Sequence, residues 1–176
     1  QGCVRVISEF GHLLTAFALG FAVLAAVYGF MGREETAARA MKIAGASIII
    51  AFIALVVAFA RSDFSLELVV KHSHSMKPML YKIAGAWGNH EGSMLLWCAI
   101  MLGYGAIASV VMTPGPLKAR ALGVQGALSA LSLSYLLFAS SPFVRLDPAP
   151  LDGNGLNPLL QDLSLIHISE PTRQDR

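Results

Sequence analysis

Charge is what this sequence has least of. Only 14% of its 176 residues are Asp, Glu, Lys or Arg, against 55% hydrophobic, and the mean hydropathy is +0.61. Soluble domains carry about 25% charged residues, so this balance excludes an ordinary water-soluble domain and points to a membrane protein. The net charge is +2 and the basic residues are scattered, which leaves no footprint for nucleic acid. Cysteine is equally scarce. Cys3 and Cys98 are too few for a disulfide framework and not spaced as a zinc site, and Cys98 reads as a small apolar residue inside a helix.

What is abundant is uninterrupted apolar sequence. Phe10–Met31, Ile43–Ala60, Met94–Thr113 and Ala121–Ala139 are free of Asp, Glu, Lys and Arg. Each is close to the roughly 20 residues a helix needs to cross about 30 Å of hydrocarbon. The first is too long, and its flanks are wrong, for a cleaved leader, and another span follows it. The predicted architecture is therefore an all-α integral membrane protein, four transmembrane helices of a larger polytopic bundle. Gly20, Gly29, Gly45, Gly103, Gly105, Gly123 and Gly126 lie in or beside these spans, where small residues let helix backbones approach.

The connections differ in kind. Gly32–Lys42 carries Arg33, Arg39 and Lys42, and Pro114–Arg120 carries Lys118 and Arg120, whereas the long loop 61–93 spreads Arg61, Lys71, Lys77 and Lys82 over many more residues. Basic density in short loops places the two short turns in the cytoplasm and the N-terminus, the long loop and the tail outside. Within the long loop, "DFSLELVV" (Asp63–Val70) alternates polar and apolar and predicts a short extended segment. Pro78 then opens a pattern in which Met79, Ile83 and Trp87 recur every four residues beside Leu80 and Ala84. That predicts a short amphipathic helix on the periplasmic surface with proline at its first position. Tyr81, Trp87 and Trp97 suit the headgroup boundary, Lys82 can extend its stem toward water, Gly88 ends the helix, and Ser93 caps the next span.

Between these helices stand Asn89, His90 and Glu91. A glutamate at a helix N-terminus is favoured by the helix dipole and a neighbouring imidazole can pair with it, so a polar site is conceivable; capping and anchoring is the plainer role for such residues. His72, His74 and His90 lack the cysteines or carboxylates that would make a metal set with them, and no metal site is assigned. His12, just inside the first span, reads as an interfacial or core histidine, although an ionisable residue there also raises a functional role.

Three stretches carry a family resemblance. "SHSMKPMLYKIAGAWGNHEGSMLLW" (Ser73–Trp97), "SSPFVRLDPAPLDGNGLNPLLQD" (Ser140–Asp162) and "EFGH" (Glu9–His12) resemble segments of the CcmF/NrfE haem lyase family of cytochrome c biogenesis. The resemblance runs over nearly the whole chain to Asp162 and implies an N-terminal fragment in a bacterial inner membrane. It implies attachment of haem to the CXXCH thiols of apocytochromes c at the periplasmic face, with haem delivered by the chaperone CcmE and a CcmH-type partner reducing the thiols. Holding both vinyl groups against both sulfurs makes positioning the larger part of such catalysis. The family's tryptophan-rich segment and haem-ligating histidines have no counterpart here, so the catalytic residues are not assigned and this fragment alone is expected to be inactive.

The family motif residues His74, Lys77, Pro78, Tyr81, Lys82, Trp87, Gly88, Asn89, His90, Glu91, Gly92, Ser93 and Trp97 are expected to serve docking or structure, on the side from which haem gains access. Arg145, Asp147 and Asp152 can contact a partner, although solvated loop charges are the commoner case. Two other readings stay open: the nitrite-reductase-specific paralogue of the family, and a non-catalytic transporter or scaffold subunit. Leu163–Arg173, "LSLIHISEPTR", reads as the translation of a transposase adapter used in sequencing libraries. Residues 163–176, His167 included, are therefore set apart as non-native, and residues 1–5 as upstream sequence, with Val6 a GTG-type start.

Overall fold

The computed structural model describes residues 2–146, 150, 152 and 153, with side chains from residue 7 onward. Asp147, residues 154–162 of the Ser140–Asp162 stretch and the whole tail 163–176 lie outside the described residues, as do the side chains of residues 2–6. Six helices follow one another: α1 (Gly2–Phe30), α2 (Glu34–Ala60), α3 (Glu67–His72), α4 (Met79–Gly85), α5 (His90–Val111) and α6 (Pro116–Phe138). Four of them, α1, α2, α5 and α6, are long and apolar enough to cross a membrane. Even the shortest of these, α5 with 22 residues, reaches about 33 Å at 1.5 Å per residue.

The long helices run alternately up and down, α1 packing on α2 and α6, and α5 on α2 and α6. Where α1 crosses α6 the contact is backbone to backbone. A Cβ on Gly126 would lie 2.6 Å from Ala26 N, and one on Gly29 would lie 2.5 Å from the Gly123 Cα, so only glycine permits this approach. Larger side chains, among them Met41, Ile48, Leu55, Leu102, Leu122 and Leu133, fill the interior, while Phe17, Ile53, Ile107 and Leu131 face outward. Outward leucine and isoleucine on every long helix is the surface expected against lipid.

One end of the bundle is closed by two tight turns. There Glu34 Oε2 accepts the Gly115 N–H at 2.7 Å, and Glu34 Oε1 meets Lys118 Nζ at 3.2 Å, tying the α1–α2 turn to the α5–α6 turn. The other end holds the start of α1, the end of α2, both short helices, the start of α5 and the chain after α6.

Several expectations need correction. α2, α5 and α6 begin before their apolar runs, at Glu34, His90 and Pro116 rather than at residues 43, 94 and 121. Apolarity marks the part of a helix that needs lipid or protein around it, whereas backbone hydrogen bonding continues to the cap. The extended segment expected over Asp63–Val70 is mostly absent. Leu66 alone keeps an isolated antiparallel bridge, with Arg145, and Glu67–His72 is helical. Consecutive Leu68, Val69 and Val70 are all buried, which a period-two strand on an open surface cannot do. Pro78 stands at the N-cap of α4 rather than at its first helical position, and α4 ends at Gly85, three residues before Gly88.

Candidate functional site

All three resembling stretches meet at the loop end. In the first, Gly11 makes room for a ring: a Cβ there would lie 2.2 Å from Phe143, whose carbonyl accepts the Ser8 hydroxyl at 3.0 Å. His12 Nδ1 stands 3.5 Å from Ser141 Oγ at the surface. The chain after α6 is thereby laid across the start of α1, and then along α3. The Glu67 N–H donates to Val144 O and the Leu146 N–H to Ser65 O, each at 3.0 Å.

The second stretch is organised by Asn89. Its amide donates to Gly85 O, at the end of α4, over 2.7 Å, and its Oδ1 accepts the Gly92 N–H, in the first turn of α5, over 2.6 Å. One side chain thus satisfies a C-terminal carbonyl of one helix and an N-terminal amide of the next. The cap expected at Ser93 is therefore at Asn89, and Ser93 Oγ instead donates to His90 O at 2.9 Å. Asparagine wins because it carries both a donor and an acceptor, and this turn offers one partner for each. Gly92 is buried against the same turn, where a Cβ would fall 1.8 Å from Ala86 O.

His90 and Glu91 are consequently helical residues. The His90 ring stands edge-on to Tyr135, centroids 6.4 Å apart. Glu91 lines a small cleft of about 150 Å³ with Glu67, Lys71, Ser140 and Ser141. Lys71 is ion-paired with Glu67, whose hydrogen bond and charge raise the Lys71 pKa against desolvation, with the smallest share from the Glu91 charge. Lys77 donates to His72 O at 2.9 Å, and burial lowers its pKa. Pro78, Tyr81, Trp87, Gly88 and Trp97 are exposed and Lys82 half-buried. Met79, Leu80 and Tyr81 project outward from α4, so its outer face is largely apolar, Trp97 is exposed on α5, and Gly85 rests on the Phe59 ring.

Sequence reasoning missed the partner of His74. Asp152 reaches back to this loop, where its Oδ1 accepts the Ser75 N–H at 3.0 Å and its Oδ2 the Ser75 hydroxyl at 2.7 Å. The Ser75 hydroxyl and amide, then the Gly153 amide, hold the Asp152 carboxyl below the usual carboxylate range. Asp152 is therefore a loop charge open to solvent yet engaged by the neighbouring loop. The only sequence signal was the Asp-Gly pair, which marks a turn without naming what it faces.

Among the described residues no group of three His, Cys, Asp or Glu is placed to hold a metal ion. His72 Nδ1 lies 3.1 Å from Leu68 O, and His74 Nδ1 accepts the Met76 N–H at 3.1 Å. An apolar hollow of about 510 Å³ on α1, lined by Leu13, Ala16, Phe17, Gly20, Phe21 and Leu24, contains no ligating side chain. That hollow therefore offers haem iron no axial ligand.

No protein-family model matches the chain. Among curated proteins it is 46% identical to the cytochrome c-type biogenesis protein ccl1 of Rhodobacter capsulatus, across 91% of this chain and 26% of that protein. It is 39% identical to CcmF of Escherichia coli, across 90% of this chain and 26% of that protein. The NrfE protein of Haemophilus influenzae is 41% identical over 64% of this chain and 18% of its own length. A solved structure of the cytochrome c haem lyase CcmF superposes with a TM-score of 0.61 at 24% identity, covering 80% of this chain and 24% of that one, which shows the shared fold. The chain spans about a quarter of the length of the curated relatives it matches. With its four apolar spans and these relatives, it belongs to the CcmF/NrfE family of cytochrome c-type biogenesis proteins.

Proposed function

We propose that this chain is the N-terminal membrane segment of a haem lyase component of cytochrome c maturation, seated in the bacterial inner membrane with its loop end in the periplasm. The observation that carries the reading is the convergence of Gly11, the Asn89 turn, Phe143 and Asp152 at one end of the bundle. Arg33, Arg39, Lys118 and Arg120 stand at or near the opposite end, the distribution expected of a cytoplasmic side. In this reading α3, α4 and the chain after α6 form a rigid platform at the outer membrane surface. The platform orients; it does not ligate. Its outward Trp97, Tyr81, Met79 and Leu80 anchor it at the lipid boundary, while His90, Glu91 and Lys71 give it a polar corner facing the haem-access side. Residues beyond this chain would hold haem, and CcmE, the CcmH-type reductant and apocytochrome c would dock outside.

The test is genetic and biochemical. Deleting the complete gene that encodes this segment should abolish covalent haem in c-type cytochromes, read by in-gel haem peroxidase staining, and the complete gene supplied on a plasmid should restore it. Intact staining after deletion would sink the reading. The NrfE-like alternative rests on the 64% match to the Haemophilus protein, and staining the nitrite-reductase cytochrome separately from the others distinguishes it.

A further inference from the structure

Two loops far apart in sequence are joined at the outer end of the bundle by one carboxylate. Asp152 accepts three hydrogen bonds: from the Ser75 amide at 3.0 Å, the Ser75 hydroxyl at 2.7 Å and the Gly153 amide at 2.8 Å. A fourth donor waits nearby. His74 Nε2 lies 3.5 Å from Asp152 Oδ2, and because His74 Nδ1 accepts the Met76 N–H, the neutral ring is assigned its proton on Nε2, facing the carboxylate. Beneath them Gly153 lies against the Ser73 carbonyl so closely that a Cβ would stand 2.1 Å from its oxygen. Lys77, the other cation of this loop, is committed to His72 O.

The Ser75 and Gly153 amides can only donate, while the Ser75 hydroxyl donates here and is the one partner able to reverse its role. An ionised carboxylate accepts at both oxygens at once; asparagine could keep the two amide bonds at Oδ1 and donate its NH₂ to the Ser75 hydroxyl, so alanine, which removes every bond, is the decisive replacement. We propose that Asp152 is a positioning residue: its ionised carboxylate latches the chain that follows α6 onto the loop before α4, fixing where that chain leaves the platform. The haem-attachment readout below rests on the proposed function; the latch itself does not. Its pH dependence has a definite sign. Hydrogen bonds to the charged form hold the Asp152 pKa below its unfolded value, so the latch contributes fully above the ordinary aspartate value of about 3.9 and is lost as pH falls through the depressed one.

The experiment uses the full-length protein in lipid nanodiscs, in a cysteine-free background, with spin labels at Met76 and Pro150, both exposed. Unaltered Asp152 should give one narrow interlabel distance at pH 7 that persists to below about pH 3.9 and broadens only in stronger acid. Asp152→Ala should lose the narrow distance already at pH 7. A narrow distance in Asp152→Ala at pH 7, or broadening of the parent distance above about pH 3.9 while its helical circular dichroism is intact, overturns the latch. In cells, Asp152→Ala should lose covalent haem from c-type cytochromes and Asp152→Glu should recover part of it. A broadened distance with full haem attachment overturns the positioning role in haem lyase activity while leaving the proposed function standing.

Discussion

Asn89→Ala should loosen the joint between α4 and α5 without disturbing the membrane bundle. The substitution removes an N-cap acceptor from the Gly92 amide and a donor from the Gly85 carbonyl. Losing an N-cap costs about 1 kcal/mol, and losing the second, part-buried hydrogen bond costs about 1 kcal/mol net. Together, about 2 kcal/mol raises the population of the opened joint about thirty-fold. Intermediate variants divide the effect. Asn89→Ser keeps a capping oxygen but lacks the amide that donates to Gly85, and should cost about half as much. Asn89→Asp keeps the cap and gains from the helix dipole, but turns a carboxylate oxygen toward the Gly85 carbonyl, so α4 should loosen while the first turn of α5 stays firm. Hydrogen exchange read by mass spectrometry in nanodiscs resolves the two helices separately. In residues 79–86 protection should be highest for Asn and lower for Ser, Ala and Asp alike, whereas in the first turn of α5 Asn, Asp and Ser should all stand above Ala. Unchanged exchange of residues 79–86 in Asn89→Ala would refute the reasoning.

Four further outcomes follow from the close contacts. Gly92→Ala places a methyl 1.8 Å from Ala86 O, so the α4–α5 turn must open, and the melting temperature in detergent should fall further than for Asn89→Ala. Gly126→Ala sets a Cβ 2.6 Å from Ala26 N and forces α1 away from α6, costing about 1–3 kcal/mol as overpacking does. Gly20→Ala meets nothing within 4 Å and should leave detergent stability unchanged or slightly raised, which makes it the matched control. Glu34→Ala leaves the buried Lys118 ammonium without its carboxylate and the Gly115 amide without its acceptor; the midpoint of thermal aggregation should drop, and Glu34→Asp should recover less than the native glutamate.

Legibility of the fold varied with how local the cause was. The four spans were visible because crossing hydrocarbon demands a run of apolar residues, a demand each segment meets alone. α3 was hidden: "DFSLELVV" satisfies both a two-residue and a helical period over so short a length, and burial of Leu68, Val69 and Val70 on the bundle decided between them. The α4–α5 corner was partly legible. A glycine-rich polar turn before an apolar run announces a cap, but several residues there can accept a hydrogen bond, and only the placement of Gly85 O selects Asn89 over Ser93.

Sequence by itself determined the solvent, the number of long helices and, through three motif stretches, the family, since each rests on residue types within one segment. Tertiary structure alone decided which segments share an end and which side chains bridge them. The Asp152–Ser75 hydrogen bonds join positions 77 residues apart and the Ser8–Phe143 bond positions 135 apart. Nothing in the local sequence of either partner encodes such a pairing. It exists because alternating helices return the chain to the same membrane surface, where donors and acceptors without helical partners must find one another.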